Sequence, residues 1–192
     1  FGPDTVVVST QNGIPWWYFQ QHGGDLDGTV LERVDPGGAI ARAIEPRRVL
    51  GSLVYFATEI VEPGVIRHTE GNRISLGEPD GTRSERAKAL GQALAAAGLR
   101  APVTTHIRSE IWVKLLGNVA FNPISALTGG TLEAMARDAD VVQTVRAVMT
   151  EASAVAARLG VEIPISIDQR IAGAERVGAH KTSMLQDLEA GR

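Results

Sequence analysis

The 192-residue chain contains no cysteine. This absence excludes disulfides, thiolate zinc sites, iron–sulfur clusters and cysteine nucleophiles, and it favours a cytoplasmic location. Long apolar runs are also missing: no run approaches the roughly 20 residues that are needed to cross a bilayer. A secretory signal pattern is absent as well. We therefore expect a protein without membrane partners.

Neither sign of charge is in large excess, since 19 Lys and Arg face 22 Asp and Glu, a formal net charge of −3. This balance excludes a general polyanion binder, and we expect no nucleic-acid partner. The G-x-G-x-x-G fingerprint, the P-loop, G-x-S-x-G and H-E-x-x-H are all absent. The four histidines are scattered without the spacing of metal ligands, so no metal site is predicted.

Short β-branched and apolar segments, separated by turns, are typical of an α/β fold in the first part of the chain. Pro63-Gly64 predicts a hairpin turn, because Pro presets φ and Gly tolerates positive φ. A helix is predicted from Thr82, with Gly98 just after its end. The predicted strands are Thr5–Ser9, Thr29–Val34, Val49–Ala57, Glu59–Val61, Val65–Thr69 and Arg73–Gly77.

Helical periodicity replaces the strand pattern after Pro102. One helix is predicted from Ile107 to Asn122-Pro123, and a second, whose apolar stripe runs from Val141 to Leu159, ends at Gly160. Ser166 with Gln169, and Ser183 with Gln186, match the capping box and predict two further helix starts. We expect an α/β domain over residues 1–105 and an all-α domain over residues 106–192.

A polar loop follows the first predicted strand at Gln11-Asn12-Gly13. In open α/β sheets, ligands bind at the carboxyl ends of the strands. Asn12 is therefore a candidate ligand-binding residue.

Lys114, Asn118 and Asn122 recur every fourth residue along an otherwise apolar helix. At about 3.6 residues per turn they form one slowly drifting polar stripe. Asn is a poor helix former, so two of them in one helix require an explanation. Two alternatives stay open. The stripe is either a solvated or inter-helix structural face, or a ligand-facing row in which lysine supplies a proton and the amides bind carboxylate or hydroxyl groups.

Two other features also allow two interpretations. The four consecutive aromatics Trp16–Phe19 form either a lid over a ligand or a local hydrophobic cluster at the sheet. Ser183 is either a helix N-cap or a hydroxyl that binds a substrate carboxylate.

The combination of three segments resembles the ketopantoate reductase family. They are Thr10–Gly13 after a strand, Trp112–Leu115 followed by Asn118 and Asn122-Pro123, and Lys181–Arg192. The resemblance implies the second half of a Rossmann-type NADP-binding domain, followed by a helical C-terminal domain like that of 6-phosphogluconate dehydrogenase. It implies NADPH-dependent reduction of 2-dehydropantoate to pantoate, for pantothenate and coenzyme A synthesis.

Each candidate residue acquires a role from this resemblance. Lys114 would be the catalytic lysine, hydrogen-bonded to the ketone oxygen. Asn118, Asn122 and Ser183 would bind the 2-oxo acid substrate, and Asn12 would bind the cofactor near the nicotinamide ribose. His180 stands where family members often carry an asparagine.

The resemblance also predicts that the chain is a fragment. The family's glycine-rich turn would precede Phe1, and its catalytic glutamate would follow Arg192, so the chain alone would be inactive. Two other functions stay open: reduction of another 2-oxo acid by a paralogue, and a non-catalytic binding or dimerisation module on the same fold. A homodimer is the assembly left open.

Overall fold

The fold is described for residues 2–192, from a computed structural model of the chain. The chain divides into two compact units, one ending at Arg108 and the other spanning Ser109–Arg192. The first unit contains strands and helices, whereas helices alone make up the described secondary structure of the second. This confirms an α/β portion followed by an all-α portion. A domain boundary at residues 105 and 106 stays a prediction.

The first unit is built on a three-stranded sheet. Its strands are β1 (Val7–Ser9), β2 (Val49–Val54) and β5 (Ile74–Gly77), in the order β1-β2-β5. β1 pairs with β2 in parallel, and β5 pairs with β2 antiparallel. Residues 100–104 extend the sheet beside β5, where backbone hydrogen bonds link Ile74 to Arg100 and Leu76 to Pro102. The strands predicted near residues 5–9, 49–57 and 73–77 are therefore confirmed.

Strands β3 (Ala57–Glu62) and β4 (Val65–Glu70) form a separate antiparallel hairpin. Its turn contains Pro63-Gly64, and Gly64 adopts a φ of 82°, which only glycine tolerates easily. The hairpin is confirmed where the sequence predicts it. Ile60 and Ile66 lie opposite each other on the two strands. Both are open to solvent, with 78% and 68% of their surface exposed.

The strand predicted at Thr29–Val34 is wrong. This segment forms a turn in which the backbone N–H groups of Val34 and Asp35 both donate to the Leu31 carbonyl. The buried Asp35 carboxylate then accepts from the N–H groups of Ile40 (2.7 Å) and Ala41 (3.0 Å), at the start of α1 (Ala39–Ala43). These two bonds to the first turn of α1 outweigh the weak β preference of a segment interrupted by charged residues.

The aromatic segment Trp16–Phe19 is buried in the first unit, as the hydrophobic-cluster interpretation predicts. The Trp17 indole lies so close to β2 that a Cβ at Gly51 would come within 2.6 Å of it. Arg108 holds the segment in place, since its guanidinium donates to the carbonyls of Tyr18 (2.9 Å) and Gln20 (3.0 Å) and also to that of Pro79. Burial lowers the pKa of Arg108.

Helix α2 (Glu85–Ala96) is joined to the end of β5 by a buried ion pair. Arg86 donates from Nε to Oε1 of Glu78 (2.6 Å) and from Nη2 to Oε2 (2.5 Å), and Ser84 Oγ donates to Oε1 (2.5 Å). Glu78 is only 4% exposed, so these bonds replace its lost hydration. The helix ends as predicted, with Gly98 at a φ of 91°.

The second unit contains five helices, and the first four of them supply its apolar core. They are α3 (Ile107–Thr128, whose first two residues belong to the first unit), α4 (Leu132–Arg137), α5 (Ala139–Arg158), α6 (Ile167–Val177) and α7 (Ser183–Glu189). Leu116, Phe121, Val145, Met149 and Ile171 are central members of that core. The predicted end of α5 at Gly160 and the Ser166–Gln169 capping box are confirmed.

The predicted end of α3 at Asn122-Pro123 is wrong, because the helix continues through Pro123 to Thr128. Proline removes one backbone hydrogen bond and normally ends or kinks a helix. Here the residues around it are held by the fold: Phe121 and Ile124 pack in the core, and buried Ser125 donates from Oγ to the Gly130 carbonyl (2.7 Å). Tertiary packing therefore overrides the local signal.

Across residues 2–192, none of the helices combines the length and the apolar character that a bilayer crossing requires.

Replacing Glu78 by Gln tests the buried ion pair. An amide cannot accept both guanidinium bonds, so we expect the free energy of unfolding of the chain to fall by about 3 kcal/mol, measured by urea denaturation. Glu59→Gln, which removes the partner of exposed Arg67, is the matched control and should cost below about 1 kcal/mol. Equal losses in the two variants would contradict the stabilising role of the Glu78 pair.

Candidate active site

Helix α3 presents an apolar and a polar face. Leu116, Ala120 and Phe121 are buried in the core of the second unit. Lys114, Asn118 and Asn122 are each only half-buried. Because the helix is continuous over these positions, the three side chains follow one another on one face, with a drift of about 40° per step. The polar stripe predicted from the sequence therefore exists as one row on one helix.

A pocket of about 200 Å³ lies against the C-terminal part of this row. Its walls come from α3, α4, α6 and the segment that leads into α7, all within the second unit. It brings together three of the predicted site residues, Asn118, Asn122 and Ser183. The other polar side chains of its lining are Arg170, His180, Lys181 and Thr182, and its apolar side chains are Phe121, Leu132, Ala174 and Val177.

The amides of the stripe are available to a ligand. In the part of the chain that the structure describes, neither Asn118 nor Asn122 hydrogen-bonds another protein group through its side chain. An inter-helix asparagine ladder would show such bonds, because buried polar groups are almost always paired. The described residues therefore contradict the inter-helix ladder, and a solvated face and a ligand-facing row stay the two interpretations of the stripe.

Ser183 is not the N-cap of α7, so that prediction is wrong by one residue. The cap is Thr182, which is buried and accepts the Leu185 N–H at its Oγ1 (3.3 Å). The helix therefore starts one residue before the predicted position. Leu185, three residues after Thr182, is buried, whereas Gln186, three residues after Ser183, is exposed. Because capping is done by its neighbour, exposed Ser183 keeps its hydroxyl for the pocket that it lines.

Lys114 lies one helical turn before Asn118 and does not belong to the lining of this pocket. It is half-buried, and burial lowers the pKa of its ammonium below the 10.5 of an ordinary lysine. A lysine with a lowered pKa gives up its proton more readily near neutral pH. This property suits a proton donor.

Asn12 lies in the first unit, exposed, three residues after the end of β1. The turn that follows it contains Gly13 with a φ of 78°. Since β1 and β2 are parallel, Asn12 stands at the carboxyl end of a parallel strand, where ligands of open α/β sheets bind.

Arg170 is the pocket residue that the sequence analysis missed. The signal is present in α6, where Arg170 falls between the buried positions of the helix stripe formed by Ile167, Ile171 and Ala174. An arginine in an apolar stripe is unusual and indicates a specific role. Within residues 2–192, no His, Asp and Glu side chains gather into a group able to hold a metal ion.

Comparison with known proteins identifies relatives for the whole chain. Residues 106–192 match the family described as Ketopantoate reductase PanE/ApbA C terminal. A 2-dehydropantoate 2-reductase of Mesorhizobium japonicum is 59% identical over all of this chain and 59% of its own length.

Solved structures agree with this match. A Ralstonia solanacearum protein assigned as a ketopantoate reductase superposes with a TM-score of 0.92 and 45% identity, over 96% of this chain and 57% of that one. A D-mandelate dehydrogenase solved with NADH and anilino(oxo)acetate shares the fold, with a TM-score of 0.78 at 20% identity over 99% of this chain and 56% of that one.

The chain spans under two thirds of the length of each of these relatives. Its whole length nevertheless aligns with them, and the matched domain contains the polar row of α3 and the pocket beside it. The chain therefore belongs to the ketopantoate reductase family.

Proposed function

We propose that the protein carrying this chain is an NADPH-dependent 2-dehydropantoate 2-reductase, which forms pantoate for pantothenate and coenzyme A synthesis. The observation that carries the proposal is the row of Lys114, Asn118 and Asn122 on one helix, with its two amides opening into a pocket. The identity of 59% with a protein of that name supports the choice of substrate.

The proton in this reaction is assigned to Lys114. Reduction of a ketone to an alcohol adds a hydride at carbon and a proton at oxygen. A protonated lysine can hydrogen-bond the ketone oxygen, stabilise its developing negative charge and then transfer its proton to it. Neutral Lys114 then regains a proton from solvent. Its lowered pKa makes the donation to the ketone oxygen easier.

Substrate binding is assigned to Asn118, Asn122 and Ser183. All three line the same pocket, and their side chains can donate and accept hydrogen bonds. A 2-oxo acid with a hydroxyl group needs both kinds of partner. The pocket size suits a small molecule rather than a peptide or a nucleic acid.

Asn12 is assigned to the cofactor. Its exposed amide at the carboxyl end of a parallel strand fits a hydrogen-bonding role toward a dinucleotide. When bound, NADPH supplies the hydride. The preference for NADPH over NADH, the cytoplasmic location and a homodimeric assembly are further parts of this proposal.

Lys114→Ala in the complete protein should lower kcat by about 10²–10⁴-fold, because the proton donor and the oxyanion partner are lost together. The assay is the decrease of NADPH absorbance with 2-dehydropantoate. Lys88→Ala, which changes an exposed lysine of α2, is the control and should leave kcat unchanged. Activity of Lys114→Ala within threefold of the wild type would refute the assignment.

The pH dependence of kcat should report the same residue. Only protonated Lys114 can donate, so kcat should fall as pH rises through its pKa, and burial moves that fall to below pH 10.5. Lys114→Arg, whose guanidinium stays charged, should be slow but should lose this alkaline fall. A wild-type profile that stays flat up to pH 10.5 would contradict the role of Lys114.

Asn118→Ala and Asn122→Ala should each raise KM for the oxo acid about 5- to 150-fold, the equivalent of roughly 1–3 kcal/mol of lost hydrogen bonding. KM for NADPH should change little. Gln143→Ala, at an exposed site on α5, is the matched control. If the asparagine variants instead melt at lower temperature with unchanged kinetics, the stripe is structural.

A further inference from the structure

Arg170 occupies a position in α6 where the periodicity of the core-facing side chains predicts an apolar residue. Ile167 and Ala174 lie three and four residues from Arg170, so they share its side of the helix, and Ile171 is the next residue in the chain. All three pack in or against the apolar core. Its Nε atom is inaccessible to solvent. Arginine is uncommon at such a site, because burying part of a charged side chain costs free energy unless polar partners replace the lost water.

Gly117 of α3 makes room for this guanidinium. A Cβ at Gly117 would lie 2.1 Å from Nη2 of Arg170 and 2.8 Å from Cζ. Glycine costs about 1 kcal/mol relative to alanine inside a helix, so its presence in the middle of α3 requires a reason. The close approach of Arg170 supplies one, and both Arg170 and Gly117 belong to the pocket lining.

The lining of the pocket is suited to an anion. Among the residues that the structure places around it, none is acidic, whereas Arg170, His180 and Lys181 can all carry positive charge. The Lys181 ammonium donates hydrogen bonds to both carboxylate oxygens of Glu189 (2.7 and 2.8 Å), so its charge is balanced by that residue. Arg170 lines the same pocket, and a planar guanidinium can bind a carboxylate through two parallel hydrogen bonds.

We propose that Arg170 is a specificity-determining residue that binds the carboxylate of the 2-oxo acid, and that Gly117 holds open the space that its guanidinium needs. This inference rests on the proposed function and adds a residue to it. It explains why an arginine interrupts the stripe of α6 and why a glycine interrupts α3. It also assigns the pocket to the carboxylate end of the substrate, where Ser183 provides a second, uncharged partner.

The test compares the 2-oxo acid with its uncharged methyl ester in the complete protein. Arg170→Met should lower kcat/KM for the acid about 10- to 100-fold and leave the value for the ester within about threefold. KM for NADPH should not change. Arg170→Lys should recover part of the loss. Arg176→Met, which removes an exposed charge from the same helix, is the control and should behave as the wild type.

Gly117→Ala separates binding from stability. The added methyl group meets the far end of a flexible side chain, so Arg170 should be displaced without loss of the fold, and the melting temperature should stay level or rise. The acid-to-ester preference should nevertheless fall as in Arg170→Met. Equal losses for acid and ester in both variants would overturn the inference, as would a loss confined to KM for NADPH, which would assign Arg170 to a cofactor phosphate.

Failure of the proposed function would be visible separately. If the wild type reduces no 2-oxo acid, calorimetric titration of the complete protein with 2-dehydropantoate and with pantoate still tests the carboxylate site. Binding by the wild type that weakens at least tenfold in Arg170→Met would support the site without catalysis. Absence of binding at millimolar concentrations, or equal binding by both proteins, would overturn it.

Discussion

The apolar face of α3 is the constraint on which the candidate site depends. Leu116, Ala120 and Phe121 are buried in the core of the second unit, and this fixes the rotation of the helix about its own axis. Every other position on α3 is then determined by helical geometry. Asn118 and Asn122 must leave the core on the side where the pocket lies. Placement of the binding groups therefore follows from burial of the apolar groups, and it needs no separate stabilising interaction among the polar residues.

The parts of the fold that the sequence predicts correctly are those with a strong local cause. Pro63-Gly64 closes the β3–β4 hairpin, and the Ser166–Gln169 box starts α6, because in each case the residues that determine the geometry are neighbours in the chain. The errors arise where a distant contact decides. Asp35 accepts two N–H groups of the first turn of α1, and a turn replaces the strand expected at Thr29–Val34. Core packing carries α3 past Pro123.

The candidate site divides in the same way. Helical spacing alone predicts the row of Lys114, Asn118 and Asn122, since all three belong to one element. The stripe of α6 marks Arg170 as unusual, but its closeness to Gly117 could not be predicted, because the two residues lie on helices far apart in sequence. Capping of α7 by Thr182 rather than Ser183 depends on burial of Leu185, which the pattern Ser-x-x-Gln does not contain. Tertiary contacts thus determine that the Ser183 hydroxyl and the Arg170 side chain line the pocket.

The solvent exposure of the β3–β4 hairpin has a dynamic consequence. Both faces of the ribbon are open along most of its length, and its apolar pair, Ile60 with Ile66, contributes little buried area. A two-stranded ribbon without a covered face is only marginally stable. Its backbone amide hydrogens should therefore exchange rapidly with deuterated solvent, through local opening. Those of buried β2 and β5 should exchange more slowly, because they require larger unfolding events. The hairpin is thus the part of the sheet region that fluctuates first, while the central strands keep their pairing.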